Sequence, residues 1–79
     1  MCKIKASISE GLIPSERVAR FNSADGKSVE VIVSKSQVSG GRVEASTIAR
    51  DHNCMLVELP RESTSGNWRV WVDKKLVQG

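Results

Sequence analysis

Tyrosine is absent from this chain of 79 residues, and only Phe21, Trp68 and Trp71 are aromatic. A core of stacked rings is therefore excluded. The apolar mass must come mainly from Val and Ile, whose branched Cβ suits strands better than helices. Two cysteines and one histidine leave the chain one soft ligand short of a closed zinc site. They are also too few for the disulfide framework of a small secreted domain, so Cys2 and Cys54 read as reduced thiols of a cytoplasmic protein. The longest unbroken apolar run is Cys54-Met55-Leu56-Val57, far short of a membrane-spanning helix. The opening residues contain no apolar stretch of the kind a signal peptide needs. No run of like charge exceeds Lys74-Lys75, and the net charge of +3 is spread over both halves. Any electrostatic footprint must then be assembled by folding.

What is present is a repeated pattern. Val29-Glu30-Val31-Ile32-Val33-Ser34-Lys35-Ser36-Gln37-Val38 returns 39 residues later as Trp68-Arg69-Val70-Trp71-Val72-Asp73-Lys74-Lys75-Leu76-Val77. Each copy alternates apolar residues, passes through a Lys-containing step and ends on Val. At the same offset Lys3-Ile4-Lys5-Ala6-Ser7 lies over Arg42-Val43-Glu44-Ala45-Ser46, and Val18 over Val57. Residues 3–38 and 42–77 share seven identities in 36 ungapped pairs, and these fall where strands are expected while the turns differ. The chain reads as one domain, 1–79, built from a duplicated three-strand unit. Its length supports a single modest core.

Taken in order, Lys3–Ile8 alternates as a strand, and Ser9–Ser15 reads as a loop around Gly11 and Pro14. Arg17–Phe21 and Ser28–Ser34 form a hairpin around Asp25-Gly26, whose glycine supplies the positive φ of such a reversal. Ser34–Gln37 predicts one 3₁₀ turn before Val38, and Gly40-Gly41 separates the copies. Arg42–Ile48 is assigned as strand by its match to Ile4–Ser7, although Glu44–Arg50 also fits two helical turns. Asp51-His52-Asn53 is a turn, Cys54–Leu59 a strand stopped by Pro60, and Arg61–Asn67 a polar loop. Trp68–Asp73 is the strongest strand. Alternation turns Val29, Val31, Val33, Trp68, Val70 and Val72 inward, and Ile32 and Trp71 outward. It also makes Val18 inward like Val57, which carries Arg20 inward with it unless a bulge reorients Arg20 and Phe21 or the strand ends before them; Phe21 itself suits the core. Five or six short antiparallel strands at this spacing predict an all-β fold, a small SH3-like barrel.

Gly11-Leu12-Ile13-Pro14-Ser15-Glu16-Arg17, Asp25-Gly26 and Val29-Glu30-Val31 resemble the swapped-hairpin DNA-binding folds of antitoxins and transition-state regulators. Those folds carry a Gly, an Ile-Pro, a Lys/Glu-Leu-Arg turn and a Gly-Asp before a Val-Glu-Ile strand. Here the Gly-Asp pair is reversed, and Arg17–Phe21 alternates like a strand where the family has a short helix. The resemblance implies a DNA-binding regulator.

Catalytic patterns are missing. Asp51, His52 and Cys54 are suitable types for an activated thiol, but nothing beside them offers an oxyanion hole or an electropositive pocket. Ser63-Thr64-Ser65-Gly66 lacks the flanking glycines of a nucleophile elbow, and Gly40-Gly41-Arg42 is not a phosphate loop. The expectation is a protein that is not an enzyme and holds no cofactor or metal. Surface recognition remains. Trp71 beside Arg69 on one strand face is the leading contact candidate, with Arg17, Lys35 and Lys74 as lesser ones. Trp and Arg dominate interface hot spots, and an aromatic among cations also holds single-stranded nucleic acid. The expected role is a binding or adaptor module for protein or nucleic acid. Its alternatives are a homodimer whose Trp71 and Ile32 faces meet, and the regulator that the resemblance implies.

Overall fold

The computed structural model describes residues 1–79 and is all-β, with nine short strands. They are β1 (Cys2–Lys5), β2 (Ser7–Glu10), β3 (Glu16–Asn22), β4 (Ser28–Ser34), β5 (Val38–Ser39), β6 (Arg42–Arg50), β7 (Cys54–Glu58), β8 (Arg69–Asp73) and β9 (Val77–Gln78). Two single 3₁₀ turns, Lys35–Gln37 and Lys74–Leu76, are the only helical elements. No helix is long and apolar enough to cross a membrane. The count exceeds the expected five or six because the first strand breaks at Ala6 and each copy ends in its own two-residue strand. Residues 44–50, which also fitted two helical turns, belong to β6.

The 39-residue offset of the sequence pattern recurs in the pairing. Ser39 and Val38 of β5 lie opposite Arg42 and Val43 of β6, as Gln78 and Val77 of β9 lie opposite Lys3 and Ile4 of β1. Every partner differs by 39 residues. β1 and β6 pair antiparallel with Ile4 directly opposite Val43, its own counterpart in the second copy. The halves are therefore related by an approximate two-fold axis between those two residues. Each half lends its last strand to the first strand of the other. The 3₁₀ turns match as well: the Lys35 amide donates to the Ser15 carbonyl at 2.8 Å, and the Lys74 amide to the Asn53 carbonyl at 3.0 Å.

One sheet holds β8-β7-β6-β1-β9, with β5 on β6, and a second holds β2-β3-β4. At Ala6 the chain crosses from the first to the second. Thirteen buried side chains from both sheets form one core, including Ile4, Val31, Val33, Val43, Val57 and Val72. The expected barrel is not closed. Its ring of strands stops at β4 on one side and β8 on the other, and these two edges do not pair.

Two inward assignments are corrected, Val18, which lies opposite the outward Ile32, and Trp68, and the face of Arg20 is decided. Ala19 and Phe21 are buried, whereas Arg20 is exposed and its Nε donates to Glu30 Oε2 at 2.6 Å. The matching buried pair is Val57 of β7 and Leu59 just after it, so β3 and β7 correspond at an offset of 38. The cause is the connection that precedes β7. Glu10 lies opposite Arg17 across six intervening residues, whereas Arg50 lies opposite Met55 across four. The two-residue shortening outweighs the one residue, Ile48, that the β6–β7 register shift adds to β6, so β7 falls one step early, and a one-residue slip exchanges strand faces. Trp68 is 53% exposed, not inward, because β8 begins only at Arg69 and the alternation does not reach back to it.

Candidate functional site

The outer face of β6–β8 is built by register. Trp71 lies opposite Leu56, and Leu56 opposite Ala49. Arg69 lies opposite Glu58, and its Nε donates to Glu58 Oε2 at 3.1 Å. This makes an apolar row bordered by a neutralised ion pair. Trp71 keeps 42% of its surface exposed there. The first copy carries the counterpart on β3–β4, with Ile32 opposite Val18 and Glu30 opposite Arg20. Ile32, at 37% exposed, offers a smaller contact and no ring. Both ion pairs are solvent-exposed, and pairs of that kind contribute at most about 1 kcal/mol each.

Two related turns close over the gap between β4 and β8. In the first, the Ser23 amide donates to the Lys27 carbonyl at 2.8 Å, and the Gly26 amide to the Ser23 carbonyl at 2.9 Å. In the second, Ser63 and Asn67 make the same bond at 2.8 Å, and Gly66 and Ser63 the same bond at 2.9 Å. Gly26 and Gly66 hold φ of 83° and 92°, the left-handed region that glycine enters most cheaply. Each turn reaches the other half. The Ala24 amide donates to the Trp71 carbonyl at 2.7 Å, and the Thr64 amide to the Glu30 carbonyl at 2.9 Å. Between them lies a cleft of about 540 Å³ whose walls include Ser28 and Val29 of β4 and Arg69, Val70 and Trp71 of β8.

Of the candidates drawn from the sequence, Trp71 and Arg69 come together at this cleft. Arg17 and Lys35 line a different one, of about 390 Å³, beside the exposed Leu12 and Ile13. There Arg17 holds its own loop, donating from Nη1 to the carbonyls of Pro14 at 3.0 Å and Glu16 at 2.7 Å. Lys74 lines neither. The five residues are thus not one basic surface. Lys27, Asp25, Ser65 and Asn67 were missed, although Ser-x-x-Gly recurs at residues 23–26 and 63–66 and marks both turns. The helix that the swapped-hairpin resemblance implies after Ile13-Pro14 is strand β3 in this chain.

The Asp25 carboxyl is held below the usual aspartate range, first by the hydrogen bond from the Ser23 hydroxyl and secondarily by Lys27. A depressed folded value means that ionised Asp25 supports the turn above the ordinary aspartate pKa. That support is lost as pH falls through the depressed value. Carboxyl carbon NMR is expected to show Asp25 titrating below the ordinary aspartate value, with the Ala24 and Gly26 amides shifting at the same midpoint. Ser23→Ala should move the midpoint up. A midpoint unchanged by Ser23→Ala would remove the hydroxyl as the cause. No protein-family model, curated protein or solved structure matches the chain.

Proposed function

We propose that this is a non-enzymatic binding module that takes a protein partner on β8, with Trp71 as its anchor and Arg69 beside it. The observation that carries this reading is the row of Trp71, Leu56 and Ala49 bordered by Arg69–Glu58. An exposed ring next to an arginine whose charge is already balanced suits the centre of a protein interface, where charged residues are depleted. Nucleic acid is disfavoured by the same fact. A phosphate would have to draw Arg69 away from Glu58, and the other candidate cations lie elsewhere.

Trp71→Ala is expected to change folding stability by no more than about 1 kcal/mol, as for an exposed side chain. It should weaken partner binding by roughly 2 kcal/mol or more, about thirtyfold in Kd. The check is capture from native cells on wild-type, Trp71→Ala and Ile32→Ala baits, with Kd measured for each partner identified. Partners lost with Trp71→Ala and kept with Ile32→Ala support the reading. Equal retention by all three would refute it. So would a salt-dependent change in Trp fluorescence on titration with single-stranded or duplex oligonucleotides.

A further inference from the structure

We infer that the open seam between β4 and β8 accepts one extended, uncharged peptide segment of a partner protein, added as a strand to the free edge of β8. This rests on the reading of β8 as the contact strand and names how that contact is made.

β8 pairs only with β7. In an antiparallel ladder successive residues direct their backbone groups to alternate sides. The Trp68 carbonyl accepts from Leu59 and so faces the β7 side, whereas the Trp71 carbonyl accepts from Ala24 and so faces the seam. By that alternation Arg69 presents both its N–H and its C=O to the seam, and Trp71 presents its N–H. None of the hydrogen bonds made by turns and loops uses these three groups. β4 repeats the arrangement from the other wall: the Glu30 carbonyl accepts from Thr64, which places Ser28, Glu30 and Ile32 on the open side.

Unpaired strand edges are normally covered, charged or paired. Here two of them border one cleft of about 540 Å³. The groups left open are alternating backbone donors and acceptors, and an extended peptide supplies their complement at matching spacing. The Ser23–Lys27 turn leans over β8, and the Ser63–Asn67 turn over β4. Each turn occupies one acceptor of the edge it covers, Trp71 or Glu30, and leaves the neighbouring groups of that edge open. The ionisable side chains of the cleft are Asp25, Lys27 and Arg69; Lys27 lies 3.9 Å from Asp25, and Arg69 is held by Glu58 at 3.1 Å. With both cations balanced, the cleft selects an uncharged segment. Val29 and Val70, at the cleft floor, select a small apolar residue at the next inward position.

The test uses the full chain as target for a random peptide phage library, followed by synthesis of an enriched peptide. In the free protein the Arg69 and Trp71 amides should exchange with deuterium faster than those of Val70 and Val72. In the saturated complex both should slow by at least roughly tenfold. N-methylation of the peptide amides that face β8 should weaken binding by about tenfold or more, a cost of about 1.4 kcal/mol, while N-methylation of the alternate amides is tolerated. A flat N-methyl scan, with shifts at Leu56 and the Trp71 indole but no slowed amides, overturns strand addition and leaves the contact face standing. Failure to enrich any peptide weakened by Trp71→Ala sinks both. Slowed amides in the protein alone at high concentration, with a dimer in sedimentation, would make the occupant a second copy and overturn the assignment.

Discussion

Ile4→Ala is expected to destabilise the protein by about 2–5 kcal/mol, the range for truncating a fully buried Ile. Ile4 is 0% exposed and stands where the two halves join, opposite Val43 on one side and Val77 on the other. A cavity there opens beside three strands at once, and hydrogen-bonded ladders on both sides limit its collapse. A domain of this length has a total stability of only about 4–12 kcal/mol, so the loss is a large share of the whole. Urea unfolding followed by circular dichroism measures it, with Ile32→Ala as the exposed comparison at under about 1 kcal/mol. A loss at Ile4 no larger than at Ile32 would show that the seam between the halves is not the centre of the core.

Separating the chain at Gly40-Gly41 should abolish folding of each half and restore it on mixing. β5 belongs to the first half but pairs only with β6, and β9 belongs to the second but pairs only with β1. The β1–β6 ladder also crosses the division. Alone, residues 1–40 would lose every partner of β1 and β5, and residues 41–79 every partner of β9. Charge disfavours self-pairing of the first half. Lys3 lies opposite Glu44 in the intact protein, whereas two copies of the first half paired in the same way would set Lys3 against Lys5. Like charges directly opposite each other destabilise a strand pair. Circular dichroism of each fragment and of the equimolar mixture provides the measurement. A β-sheet spectrum with cooperative unfolding from one isolated half would contradict the exchange of strands.

Much of the fold was legible because its signals are local. Ser28–Ser34 alternates along its whole length and is β4 from end to end. Its outward Ile32 and the outward Trp71 of the second copy are exposed as alternation requires. The 3₁₀ turn after β4 was also legible, and Ser34 caps it by accepting from the Ser36 amide while Gln37 reaches back to the Ser34 amide. Asp73 takes the first of these roles in the second copy, accepting from Lys75 at 2.9 Å. The candidate site was legible in part. Trp71 and Arg69 are two residues apart on one strand, so their shared face follows from the pleat. Lys27 and Asn67 come from turns in different halves, and no spacing along the chain announces that they meet.

Composition and alternation alone determined that this chain is β-structured and built on branched aliphatics, since those properties depend on each residue and its near neighbours. Tertiary structure decided which face Arg20 and Phe21 take, where Trp68 lies, and that the ring of strands stays open between β4 and β8. Each of these depends on how one strand registers against another distant in sequence. For Arg20 and Phe21 it is the antiparallel register of β3 against β2 and β4.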